Sequence, residues 1–445
     1  MDTIVACASP WGQGGVAIIR MSGPDSIAIA KNLCQRKKFS PRYTHLCSIT
    51  HNGILIDRGL VVAMPKPNSF TGENVVEISS HGNPLIVQRL IEACIDMGAR
   101  LARAGEFSRR ALENGKLSLL QAEALNSVVH ARTLQGLDLA QKNLQGSLDE
   151  GMAQLEDTLL DIVAEIEARL DHPDDDLSFE SDIQLCNRLK AIAQTMHSSA
   201  QNWRTHKIGI HGAKVALLGP VNAGKSSLFN HLIGMKRAIV SDIEGTTRDA
   251  VEKQVYIDGM EICFIDTAGA RKQTHDPIEA QGIELGLALA KDVDLCLLLC
   301  PLPYWHQDTS YRELLEELAE KVSPVRILRV GSYLDCAKES TDLDVCISSK
   351  NGEGIALLKA MIVQHLRKIP SRGAAYTVIS QRQYELFLAL EQHCRMASQA
   401  LTGFYGPAVA AEEVTAALTR LGELRGEEVR ERVLDRLFSK FCIGK

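Results

Sequence analysis

The chain has 445 residues, too many for one hydrophobic core, so two to three domains are expected. Hydrophobic residues make up 45% and charged ones 23%, an ordinary soluble balance, and a net charge of −6 supplies no global basic field for nucleic acid. The start, Met1-Asp2-Thr3-Ile4, lacks the basic and apolar stretches of a secretory signal, and no apolar run is long enough to span a bilayer. Twelve scattered cysteines without a C-x-x-C pair fit reduced thiols in a cytosol better than disulfides or zinc.

Residues 1 to about 115 read as mixed α and β. Short β-rich runs, Gly15 to Ile19, Leu60 to Met64 and Val75 to Ser79, alternate with helical stretches such as Pro84 to Met97. Basic residues gather at Arg36, Lys37, Lys38 and Arg42, and again at Arg100, Arg103, Arg109 and Arg110. Such patches could meet phosphates or be plain solvated surface, and Glu106 interrupts the second group. From about 117 to 208 the pattern turns helical. Met152, Leu155, Leu159, Ile162, Ile166 and Leu170 step by three and four along one long helix. Residues 149 to 182 carry 13 acidic and one basic residue, so that face repels phosphate and reads as solvated surface.

Residues 219 to 227 read Gly-Pro-Val-Asn-Ala-Gly-Lys-Ser-Ser, between an apolar strand-like run, Val215 to Leu218, and a helix-like run, Ser227 to Ile233. That order aims the N–H groups of Asn222, Ala223, Gly224 and their neighbours, and a helix N-terminus, at one point, which stabilises an anion. Lys225 can reach the β- and γ-phosphates, and the hydroxyl of Ser226 can join a magnesium shell. Downstream lies Ser241-Asp242-Ile243-Glu244-Gly245-Thr246-Thr247-Arg248-Asp249, where Thr247 can close on Mg²⁺ and the γ-phosphate and release after hydrolysis. Ile262 to Ile265 then forms a strand ending in Asp266-Thr267-Ala268-Gly269, with Asp266 41 residues after Lys225. Asp266 can hold Mg²⁺ through water, and Gly269 lets its N–H approach the γ-phosphate. Further apolar strands at Asp294 to Cys300 and Val325 to Val330 complete an α/β pattern from 213 to 366. A mostly parallel sheet with nucleotide at the strand carboxyl ends is expected.

Guanine is usually chosen by Asn-Lys-x-Asp, whose carboxylate takes two base N–H groups while the lysine stem covers the ring. Here the match is Ser332-Tyr333-Leu334-Asp335, with Ser348-Ser349-Lys350 behind it. Either Tyr333 stacks on the base in place of the lysine stem, or the loop has drifted and holds guanine loosely. Ala270 stands where one large group of GTPases carries a water-orienting Gln, leaving Arg271 and Glu279 in the same segment as candidate partners for the water. The pieces together imply GTP hydrolysis.

Helical pattern returns from about 380. Leu418, Leu421, Leu424, Val429, Val433, Leu437 and Phe441 form a second apolar stripe, weakened at Gly422 and Gly426. Two amphipathic halves flanking an α/β domain need each other to bury their apolar faces, so the α/β domain is expected as an insertion into a helical domain.

Several segments resemble one family: Gly12-Gln13-Gly14-Gly15-Val16-Ala17-Ile18-Ile19-Arg20-Met21-Ser22-Gly23-Pro24; Pro67-Asn68-Ser69-Phe70-Thr71-Gly72-Glu73-Asn74-Val75-Val76-Glu77; His81-Gly82-Asn83-Pro84; Gly105-Glu106-Phe107-Ser108-Arg109-Arg110-Ala111; Asn114-Gly115-Lys116-Leu117; Gln121-Ala122-Glu123-Ala124; and the ending Phe441-Cys442-Ile443-Gly444-Lys445. With the phosphate-loop motifs they resemble the MnmE (TrmE) tRNA modification GTPases across nearly the whole chain. His81-Gly82-Asn83 departs from the family's His-Gly-Gly, and the altered guanine motif departs further.

The resemblance implies an α+β N-terminal folate-binding and dimerisation domain (1–116), a discontinuous α-helical domain (117–210 and 369–445) and an inserted P-loop α/β G domain (211–368). It implies a cytoplasmic homodimer that joins the flavoprotein MnmG in a heterotetramer, with no membrane role. The implied reaction installs an aminomethyl or carboxymethylaminomethyl group at C5 of the wobble uridine of certain tRNAs, from 5,10-methylene- or 5-formyl-tetrahydrofolate. Folate contacts carry over to Arg20, Glu77, Lys116 and Lys445; a surface ion pair is the alternative for Arg20 and Glu77. The resemblance also implies K⁺ at Asn222, Ser241, Ile243 and Thr246, in place of an arginine finger, though Asn222 could be a turn residue. Catalysis falls to Glu279, Asn222, Lys225 and Thr247, and the nucleotide set includes Ser227, Asp242, Glu244, Gly245, Thr267, Ala268 and Asp335. A ribosome-assembly or RNA-chaperone GTPase switch without chemistry on RNA is the alternative. Cys442, fourth from the end, has poor neighbours for prenylation and is either reactive or a packing residue.

Overall fold

A computed structural model describes residues 2–171, 180–219, 222–233, 251–266, 293–303, 327–337, 342–367, 375–403, 405–427, 431–439, 441 and 443–444. The chain divides into two compact units. One comprises Met1–Asn126, Asp149–Thr158 and Leu418–Lys445, the other Ser127–Leu148 and Leu159–Ala417. The stretch expected as one helical domain is thus shared between them.

In the first unit, strands β1 (Ile4–Cys7), β2 (Gly14–Ser22), β3 (Thr44–His51), β4 (Ile54–Met64), β5 (Val75–Gly82) and β6 (Arg100–Leu101) form one sheet in the order β3-β4-β5-β2-β1-β6. All neighbours are antiparallel except β1 and β6. Along β3 exposure alternates residue by residue, with His45, Cys47 and Ile49 inward, because successive side chains point to opposite faces. The inward face packs on helices Ser26–Leu33 and Pro84–Asp96 through Ile29, Leu33, Val87, Leu90 and Cys94. Asn83 caps the second helix, accepting from the Leu85 N–H at 2.9 Å, with Pro84 at its first turn.

The C-terminal stripe, expected to weaken at Gly422 and Gly426, is carried by two helices. Helix Gly406–Arg425 stops at Gly426, whose φ of +97° is left-handed and whose Cβ would lie 2.9 Å from the Leu119 Cβ. A separate helix spans Glu431–Phe438. Leu170, on the long helix Ser147–Asp171, and Val433 are exposed, so the first stripe stops one step early and the second is interrupted before Leu437 and Phe441; Val429 lies outside the described residues.

In the second unit, strands β7 (Ala213–Leu218), β8 (Val251–Ile257), β9 (Met260–Asp266), β10 (Leu295–Pro301), β11 (Ile327–Ser332) and β12 (Val345–Cys346) form a sheet in the order β12-β11-β10-β7-β9-β8. It is parallel apart from the β8–β9 hairpin. Strand β10 is buried at every position, as a central parallel strand covered on both faces must be. Helices Asp182–Gln201 and Gln381–Thr402, which bracket this sheet in sequence, pack along each other, joined by Cys186 to the Ser398 carbonyl and His197 to Glu391. The α/β domain is therefore inserted into a discontinuous helical layer. Helices Leu134–Leu144 and Trp203–His211 meet at Gly136 and Gly209, where a Cβ on Gly136 would fall 2.2 Å from the Gly209 carbonyl oxygen. Among the described residues, no helix is long and apolar enough to cross a membrane.

Candidate functional site

The carboxyl ends of β7, β9 and β11 converge because these strands run parallel in adjacent or near-adjacent register, with Leu217 opposite Asp266 and Pro301 opposite Ser332. The chain leaves β7 at Gly219, where φ is +145° and a Cβ would strike the Leu299 carbonyl oxygen at 2.6 Å. It then re-enters a helix at Lys225, Lys225–Ile233, directing the first-turn N–H groups at the loop. The buried Lys225 Nζ donates to the Gly219 carbonyl at 2.7 Å. Ser226 Oγ donates to Asp266 Oδ2 at 3.1 Å. The Ser226 hydroxyl and the buried Asp266 carboxylate are hard oxygen donors facing one another, the donor type that Mg²⁺ takes directly or through water. Ala223 is buried, while Asn222, Ser226 and Ser227 are exposed at the loop surface.

The altered guanine motif also comes to this end of the sheet. Ser332 Oγ donates to the Ala223 carbonyl at 2.8 Å, and the Tyr333 hydroxyl donates to the Asn222 carbonyl at 2.6 Å. Asp335 is exposed, and Ser348 Oγ donates to its Oδ1 at 2.8 Å. That hydrogen bond holds the Asp335 carboxyl below the usual carboxylate range. The sequence reading missed both ties to the phosphate loop; the signal was the motif position itself, since a substituted pair there still has to hold the loop. Ser241, Asp242, Ile243, Glu244, Gly245, Thr246, Thr247, Thr267, Ala268, Gly269 and Glu279 lie outside the described residues.

A second constellation lies in the N-terminal unit. Arg20 on β2 and Glu77 on β5 are cross-strand partners, and the guanidinium meets the carboxylate at 2.8 Å. Arg20 also donates to the Gly444 carbonyl at 3.2 Å and sits 5.7 Å from the ring centroids of both Phe70 and Phe107. Ile443 bridges to Ala104, and Phe441 packs on Gly105, so the last residues of the chain return beside β1 and β2. Lys116 lies along Gly72, its Cε 3.2 Å from where a Cβ would stand. Arg20 and Glu77 thus come together with the C-terminal segment; Lys445 and Cys442 lie outside the described residues. Phe70, Phe107 and the Gly444 carbonyl escaped sequence reading, because nothing local links residue 20 to residue 444.

Three of the four arginines of the basic cluster at 100–110 are engaged by carboxylates, Arg103 being exposed. Arg100 pairs with Asp2 and Glu106, Arg109 with Glu113, Glu431 and Asp435, and Arg110 with Asp2, Glu73 and Glu106. Burial alone would raise Glu106, but hydrogen bonds from Arg100, the Arg103 backbone and Arg110 hold it at about 2.

A phosphate loop between a parallel strand and a helix, with a carboxylate at the next strand's end facing the loop serine, defines a P-loop α/β nucleotide-binding protein of multidomain build. A family profile described as "GTP-binding protein TrmE N-terminus" matches residues 3–116, and one described as "MnmE helical domain" matches residues 119–442. "tRNA modification GTPase MnmE" of Francisella philomiragia is 35% identical over 100% of this chain and 99% of that protein. The protein of the same name from Dichelobacter nodosus is 37% identical over the same shares. Among solved structures, the G domain of the T. maritima FeoB iron transporter is 29% identical over 35% of this chain and 99% of that chain, with a TM-score of 0.27. The chain belongs to the MnmE family.

Proposed function

We propose that this protein hydrolyses GTP at the end of the β7–β9–β11 sheet and couples that cycle to modification of tRNA. The observation that carries the reading is the Lys225–Gly219 and Ser226–Asp266 geometry in a chain 35% identical end to end to relatives named tRNA modification GTPase. In the nucleotide complex, the loop N–H groups and Lys225 bind and orient the β- and γ-phosphates and Asp335 takes the base edge; Ser226 and Asp266 would hold Mg²⁺, which would supply positive charge to the phosphates. The exposure of Asn222 at the loop surface supports it as a K⁺ ligand, with Ser241, Ile243 and Thr246 as the remaining proposed set. Thr247 and Glu279 are the proposed residues for closing on the γ-phosphate and orienting the water.

The N-terminal constellation fits a reduced folate. Arg20, Lys116 and Lys445 offer cations for its glutamate carboxylates, and Glu77 accepts N–H groups of its pterin. The folate, 5,10-methylene- or 5-formyl-tetrahydrofolate, supplies the one-carbon unit when bound. The product is an aminomethyl or carboxymethylaminomethyl group at C5 of a wobble uridine, formed in the cytoplasm with the flavoprotein MnmG as partner. An exposed apolar pair, Leu46 and Leu60, directly opposed on β3 and β4, supports a homodimer through this unit. The proposed domain segments are 1–116, 117–210, 211–368 and 369–445.

Mass spectrometry of wobble uridines from cells lacking this chain tests the reading. Loss of the C5 substituent, restored by the unaltered chain but not by Lys225→Ala, is the expected result; unchanged nucleosides would overturn it.

A further inference from the structure

Tyr333 stands where guanine-binding loops carry lysine, and its φ of +63° is left-handed, a conformation a bulky residue keeps only when its surroundings hold it. What holds it is the phosphate loop. Its hydroxyl donates to the carbonyl of Asn222, itself left-handed at φ +62°. The ring passes Gly224, where a Cβ would lie 3.7 Å from the Tyr333 Cζ and hydroxyl oxygen. Consecutive side chains, Ser332 and Tyr333, therefore grip consecutive carbonyls, Ala223 and Asn222. Two residues on, Asp335 stays exposed, oriented by Ser348 from behind, while the Leu334 N–H is pinned to the Ile347 carbonyl at 3.0 Å. Tyr333 remains 37% exposed, so the ring is held at one end and open to solvent beside Asp335.

Resting on the nucleotide reading above, we propose that Tyr333 positions the phosphate loop and the purine together. Its hydroxyl fixes the Asn222 peptide, and its open ring face stacks on the base whose edge Asp335 reads. A lysine would bring an ammonium to this place; tyrosine brings a neutral donor and a π-face. Every purine has a π-face, so this stacking strengthens binding without choosing among bases. Discrimination then falls to Asp335. Its carboxylate accepts from the ring N–H and the exocyclic amine of guanine, and hypoxanthine lacks that amine.

Calorimetric titration of the full chain with GDP and IDP in magnesium buffer tests the proposal. Tyr333→Ala is expected to weaken both by about tenfold or more, by the same factor. Tyr333→Phe keeps the ring, loses the tether, and weakens both by roughly three- to tenfold. Asp335→Ala closes the gap between GDP and IDP. Parent-like GDP affinity in Tyr333→Ala would overturn the proposal, as would an Ala variant no weaker than Phe, or an altered GDP-to-IDP ratio in either tyrosine variant. Failure of the GTP reading itself would show separately, as an unsubstituted chain retaining neither GDP nor GTP.

Discussion

The nucleotide end of the β7–β12 sheet and the Arg20 constellation of the N-terminal sheet are built on opposite plans. At the first, each functional group sits at the end of its own strand, and the parallel fold gathers them: Gly219 to Lys225 after β7, Asp266 at β9, Ser332 to Asp335 after β11. At the second, the groups come from the middle of strands and from the far end of the chain, and pairing holds them: Arg20 to Glu77 across two strands, and Arg20 to Gly444 across 424 positions. Strand ends carry short contiguous motifs. Mid-strand pairs and a returning C-terminus leave no local sign of which residues meet.

This contrast is easiest to break through the C-terminal return. Phe441 is buried against Gly105 and Phe438, so Phe441→Ala should cost the N-terminal unit about 3–5 kcal/mol in denaturant unfolding. Nucleotide affinity at the Lys225 loop should stay unchanged; a parallel loss there would show that the two sites are not built independently. At the other site, Lys225→Ala should cut GTP turnover on the order of 10²–10³-fold with the unfolding midpoint preserved. Turnover within twofold of the parent would remove the lysine from the chemistry.

Acid sensitivity sharpens the comparison. The Glu106 carboxyl, ordinarily at 4.5, is held at about 2, and Asp2, ordinarily at 3.8, is also held at about 2, chiefly by the Arg100 hydrogen bond. Depressed folded-state values mean stability that is complete above the ordinary carboxylate range and lost as pH falls toward 2. The N-terminal unit should therefore lose on the order of 1–3 kcal/mol between about pH 4.5 and 2, and Glu106→Gln should flatten that limb. An unaltered acid limb in the variant would exclude this network as its source. The smallest effect is expected at Glu77. Glu77→Gln leaves Arg20 without its ion pair, with folding changed by less than about 1 kcal/mol and tetrahydrofolate affinity by about tenfold. Parent-like folate binding in this variant would assign Glu77 to the sheet alone.

How much of this was legible follows the same divide. The phosphate loop, the strand before it and the helix after it were readable because sterics and hydrogen bonding there act within ten residues. The Asp266 carboxylate was readable from its place after an apolar strand. The helix break at Gly426 was not, since Gly422 is accommodated inside its helix while Gly426 meets Leu119, a contact that only packing creates. The arginines at 100, 109 and 110 looked like a basic patch in sequence, yet their carboxylate partners include Asp2, Glu73, Glu431 and Asp435, none close in the chain.

The sequence by itself determined that a phosphate-loop pattern stands between an apolar strand and a helix, and that helical segments enclose an α/β domain. Local backbone conformation and hydrophobic periodicity are properties of contiguous residues. Only the tertiary structure decided that Ser332 and Tyr333 grip the Ala223 and Asn222 carbonyls, that Arg20 meets Glu77 and Gly444, and that Arg100, Arg109 and Arg110 are paired with carboxylates. Those facts depend on which distant groups the packed core brings within hydrogen-bonding reach.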